Sequence, residues 1–154
     1  MDYLTLKTIH IISSTVLFGT GMGSAFFLFM ANRRKEVAGI AFATRHVVIA
    51  DWLFTTPSVV IQLVTGLALM QAGGMDLTTY WIKLVLILYF VVGVCWLPVV
   101  SIQIKMRNLA KQAMDKNSEL PTQYWQYDKW WILLGSVAFP IVLVIFYLMV
   151  FKPQ

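Results

Sequence analysis

A chain of 154 residues that is 59% hydrophobic and only 12% charged is too apolar for a soluble domain of its size and reads as a membrane protein. Its net charge of +5 does not point to nucleic acid, because the basic residues gather in two loops where a membrane-orientation signal accounts for them. The single cysteine, Cys95, excludes a disulfide framework and a cysteine-based zinc or iron–sulfur site, and reads as a small buried hydrophobe.

A helix needs about 20 apolar residues to cross roughly 30 Å of hydrocarbon. The stretches 4–31, 47–70, 77–104 and 130–151 meet that length. They are too long and too evenly apolar for barrel strands, and an unclosed strand cannot satisfy its backbone in lipid. The expected fold is all-α: a four-helix transmembrane bundle forming one membrane domain over 1–154, with cytoplasmic loops 32–46 and 105–129.

The first span is too long for the apolar core of a signal peptide and reads as retained. It carries His10, one of two histidines. An ionisable residue inside a span is costly and is a functional-site hypothesis by default. At 100° per residue His10 shares a face with Ser14, Leu17, Gly21, Ser24 and Leu28, while Gly19 and Gly23 offer a close-packing surface on nearly the opposite side.

The second span carries a polar stripe. Asp51, Thr55, Ser58, Gln62 and Thr65 fall near one line, with Gly66 close by, so the stripe should face the bundle interior or a water-filled cavity. The third span contains Lys83 near its start and Pro98 further on. Its helical spacing of Ile102, Met106, Leu109 and Ala113 predicts a helix that continues beyond the membrane. Asp115–Thr122, with Pro121, reads as a linker. Around the fourth span, Tyr124, Trp125, Tyr127, Trp130 and Trp131 read as interface anchors, as do Tyr80 and Trp81 at the third.

Nine of the twelve basic residues lie in the two long loops, leaving Lys7, Lys83 and Lys152 for the other side. The positive-inside rule then predicts both termini outside, in a multi-pass membrane protein. Depth follows from the helical rise. His10 should lie about 9 Å, and Lys83 about 8 Å, below the outer ends of their spans. At that level the second span presents Gln62, Thr65 and Gly66, with Met70 nearer the surface, and the fourth presents Tyr147. Asp51 and His46 belong near the opposite, cytoplasmic face.

A histidine in a helical bundle can serve as an axial haem ligand, and one is enough for a five-coordinate iron. His10 is the candidate for haem iron. Lys83, Met70 and Tyr147 are the candidate sixth ligands, or in the case of Lys83 a propionate partner. No nucleophile–base set, phosphate loop or dinucleotide fingerprint appears, so catalytic residues are not assigned.

The segments LKTIHIISSTVLFGTG, RRK, DWLFTTPSVVIQLVTGLAL and YWIKLVLIL resemble a bacterial family of predicted integral membrane proteins, the domain of unknown function numbered twenty-two sixty-nine. The resemblance covers nearly the whole chain and implies no activity. A more distant resemblance is to membrane protoporphyrinogen oxidases of the HemJ type and to CopD copper-resistance proteins. In the HemJ type a first-span histidine and a lysine early in the third span are important, with haem b in the bundle. His10 and Lys83 match those positions.

The leading expectation is a haem b-binding redox or electron-transfer protein of oxidoreductase type. The alternatives are a small transporter or channel using the stripe Asp51, Thr55, Ser58 and Gln62, and a non-catalytic subunit or assembly factor. Expected partners are the lipid bilayer, a membrane or redox protein, and a second copy of the chain.

Overall fold

The computed structural model describes residues 2–153. Helix α1 spans Tyr3–Arg34, α2 Val37–Ala50, α3 Thr56–Ala72, α4 Tyr80–Asp115 and α5 Thr122–Phe151. A π-helical turn, Asp51–Thr55, joins α2 to α3 without a break. The result is four helices long and apolar enough to span a membrane: α1, the continuous rod Val37–Ala72, α4 and α5.

The predicted fold class holds, but the helices outrun the predicted spans. The expected loop at 32–46 shrinks to Lys35 and Glu36, and that at 105–129 to residues 116–121. Charged side chains leaving the hydrocarbon do not break a helix; only caps and turns do. Asp2 accepts a hydrogen bond from the Thr5 amide and starts α1. Lys35 turns left-handed, φ 58°, and ends it. Gly74, φ 63°, lets the chain reverse after α3, where the Met75 amide returns to the Met70 carbonyl. As the spacing of Ile102, Met106 and Leu109 predicts, α4 runs on to Asp115.

The π turn has a local cause. Pro57 has no amide to give the Leu53 carbonyl, and its ring crowds that position. The ladder slips by one residue, and the Thr56 amide bonds to the Asp51 carbonyl instead. Such turns are rare and concentrate at functional sites.

The helices run antiparallel, so both termini lie at one end of the bundle and the connections at 35–36 and 116–121 at the other. At the connection end, Leu28 of α1, Ile40, Ala43 and Val47 of α2, Met106 and Ala110 of α4, and Tyr124 and Trp131 of α5 form one core. At the terminal end the bundle divides into pairs. There α4 and α5 pack through Trp81, Ile82, Val85, Ile145 and Leu148, while α1 meets α3 through polar side chains. Large apolar side chains such as Phe90, Leu97 and Val150 point outward, as on a surface that meets lipid tails.

Candidate functional site

His10 sits in the third turn of α1, half-buried against α3. Its Nδ1 is 2.8 Å from Thr65 Oγ1. The Thr65 hydroxyl has one hydrogen, which it donates to the Ile61 carbonyl. Toward His10 it must therefore accept, so Nδ1 carries the proton and Nε2 holds the free lone pair. Among the described residues Nε2 takes no hydrogen bond, and it is not sealed from its surroundings. Gly66 makes room for the ring: a Cβ there would stand 3.3 Å from His10 Cε1. Below the ring, the Gln62 amide donates to the His10 carbonyl and to Ser13 Oγ, fixing the register of α1 on α3.

Asp51 lies near the middle of the same rod, about four turns from Thr65 toward the connection end, and is 5% exposed. Thr55 Oγ1 donates to its Oδ1 at 2.9 Å, and the Gln103 amide of α4 stands beside the carboxylate. Both Asp51 and Thr55 border a cavity of about 560 Å³ that receives residues from all the spanning helices. Ser14 and Gln62 reach the cavity on α1 and α3, one turn from His10 and Gly66, which do not line it. The Tyr89 hydroxyl ties α4 to α3 by donating to the Val59 carbonyl at 2.6 Å.

The polar stripe of the second span thus faces inward: Asp51, Thr55, Ser58 and Thr65 are buried. It divides into two sites. Gln62 and Thr65 are engaged with α1, and Asp51 and Thr55 with the cavity.

Other candidates lie elsewhere. Lys83 is exposed in the first turn of α4. Tyr147 is exposed and stacked on Phe151, with ring centroids 4.2 Å apart. Met70 packs with the Trp81 cluster. Among the described residues none of the three hydrogen-bonds to His10. His46 is exposed far from His10, its Nδ1 on the Phe42 carbonyl. Gly19 and Gly23 meet nothing within 4 Å, so no helix of this chain packs on them. Cys95 is half-buried and borders the cavity. Among the described residues no three histidine, cysteine or carboxylate side chains stand together to hold a bare metal ion; haem iron needs only one protein ligand.

One polar network escapes the sequence reading. Asn32 donates to Asp128 Oδ1 at 2.8 Å and accepts from the Tyr124 hydroxyl at 2.7 Å, locking α1 to α5 at the connection end. Tyr124 is wholly buried, and Trp131 and Trp81 nearly so, so these three are core residues rather than interface anchors. The available signal was Asp128, a charge within an aromatic-rich stretch beside a span.

The family described as "Predicted integral membrane protein (DUF2269)" matches residues 4–153. Neither a curated protein nor a solved structure matches the chain.

Proposed function

This chain belongs to the DUF2269 family of predicted integral membrane proteins, and from that premise we propose that it binds haem b through His10 and serves in electron transfer. The observation that carries this reading is the Nδ1–H tautomer set by Thr65. A ligating histidine characteristically donates its other ring proton to a fixed partner, which orients the ring and raises its basicity. Here Thr65 takes that proton, Gly66 leaves the ring its place, and the Nε2 lone pair is available. Haem held there would supply one-electron exchange; the chain supplies a neutral imidazole held in one tautomer within a low-dielectric bundle. Lys83, exposed near the same end, offers an ammonium for a propionate. With Met70 and Tyr147 packed elsewhere, His10 would be the residue of this chain that holds the iron. The basic residues gathered at the connection end support a cytoplasmic orientation for it, with both termini outside.

The test is an absorption spectrum of protein purified in mild detergent from haem-replete cells. We expect a Soret band that His10→Ala abolishes without loss of folded protein. A colourless wild-type preparation, or an unchanged band in the variant, sinks the reading.

A further inference from the structure

The cavity between the helices has three properties that belong together. It has a mouth toward lipid, a polar far wall and space kept open by glycine. The lining residues that remain exposed are Met22, Phe26 and Phe29 of α1 and Ile132 and Ser136 of α5. The mouth therefore lies between α1 and α5, on the side of the bundle that meets acyl chains. At about 560 Å³ the cavity falls within the roughly 300–1,000 Å³ typical of small-molecule sites.

Its polar groups are few and unequally engaged. The Asp51 carboxylate accepts from Thr55. No lysine, arginine or histidine shares the lining. Trp96 borders the same space, and its indole N–H is buried with no hydrogen-bond partner among the described residues. A buried donor left open beside a cavity calls for an acceptor within it. Phe18, Tyr89, Trp131 and Phe139 supply aromatic walls. Gly93 of α4 and Gly135 of α5 also line the cavity, and a Cβ on either would meet nothing within 4 Å. Glycine inside a helix costs about 0.5–1 kcal/mol relative to alanine, and nothing in the packing of this chain requires it at either position.

We propose that this cavity binds the ring of an isoprenoid quinone or its quinol, entering sideways from the bilayer between α1 and α5. A flat ring matches the aromatic walls. A quinone carbonyl accepts the Trp96 N–H, and a quinol hydroxyl donates to the Asp51 carboxylate. The isoprenoid tail leaves past Phe26 and Phe29. An acyl lipid would fill the mouth but has no use for the donor and carboxylate at the far wall. The site uses neither His10 nor Thr65, so it stands apart from the haem reading.

The experiment titrates a decyl-substituted benzoquinone into the full chain in mild detergent and reads tryptophan fluorescence, since Trp96 and Trp131 line the site. Saturable, one-site quenching is expected, with decyl alcohol giving none. Gly135→Leu, filling the cavity, should weaken binding by about tenfold or more while leaving the unfolding midpoint near that of wild type. Asp51→Asn should weaken the quinol form by about threefold to tenfold. Unsaturable quenching, equal saturation by decyl alcohol, or unchanged affinity in a folded Gly135→Leu overturns the proposal. If Gly135→Leu fails to fold, Gly93→Leu is read in its place, and Asp51→Asn decides if neither folds. A Soret band with no quinone binding sinks this site alone; quinone binding in a colourless protein sinks the haem reading alone.

Discussion

The two helix seams at the terminal end of the bundle are built on opposite principles. Between α4 and α5 the contact is apolar, with Trp81, Ile82 and Val85 against Ile145 and Leu148. Between α1 and α3 it is polar, with Gln62 on the His10 carbonyl and Ser13, and His10 on Thr65. In lipid there is no hydrophobic drive between helices, because the surrounding tails are as apolar as leucine. The α4–α5 seam therefore depends on shape and dispersion, spread over many atoms. The α1–α3 seam depends on a few directional bonds, which add little energy each but specify rotation and register. A ligand side chain needs the second kind of support. His10 stands where orientation is fixed, and the apolar seam holds the frame around the cavity.

The largest effect on stability should come from the apolar seam. Leu148→Ala opens a void between α4 and α5 and should cost about 2–5 kcal/mol, the range for truncating a buried leucine. Reversible unfolding in mixed detergent measures it. The His10 tautomer should be untouched, so histidine chemical shifts should match wild type. A loss below about 1 kcal/mol would show that the seam is not close-packed.

Breaking the polar seam should do less to stability and more to order. Gln62→Leu removes the bonds to the His10 carbonyl and to Ser13 Oγ. At about 0.6 kcal/mol per interhelical bond in a membrane, the total should be near 1 kcal/mol. The distinctive result is local: amide exchange should rise across residues 9–14 of α1 and stay unchanged across residues 81–88 of α4. Uniform acceleration across both segments would refute the division of labour between the seams.

Parts of this arrangement are legible in the sequence for a physical reason. Span length is a local property, so the four spans emerge from hydropathy, and the stripe from Asp51 to Thr65 emerges from the helical period. Rise per residue fixes depth, so Gln62, Thr65 and Gly66 are correctly found at the level of His10. Rotation between helices is not local. Lys83, expected at that depth, is exposed in the first turn of α4 and makes no hydrogen bond to His10 among the described residues, and nothing in its neighbours in sequence records this. Tyr124 illustrates the same limit. An aromatic residue beside a span reads as an anchor until Asn32, ninety-two positions away, supplies the partner that buries its hydroxyl. The early start of α2 is hidden because Arg45 and His46 interrupt the apolar run, although Ile40, Ala43 and Thr44 pack inside. The π turn depends on how Pro57 displaces a bond four residues back, which hydropathy does not report.

The smallest predicted effect is the most specific to the polar seam. Gly66→Ala adds a methyl group 3.3 Å from His10 Cε1. Alanine favours the helix over glycine by about 0.5–1 kcal/mol, and the close contact opposes that gain, so net stability should change by less than about 1 kcal/mol. The ring, however, must give way by a few tenths of an ångström, stretching its bond to Thr65. A shift of the His10 Cε1 and Nδ1 resonances is expected, with weakened protection of the Nδ1 proton. Gly93→Ala serves as the control, because its new methyl group meets nothing within 4 Å and should leave the histidine resonances in place. If Gly66→Ala and Gly93→Ala were indistinguishable at His10, the imidazole would not be held by the α3 backbone, and Thr65 alone would have to account for its orientation.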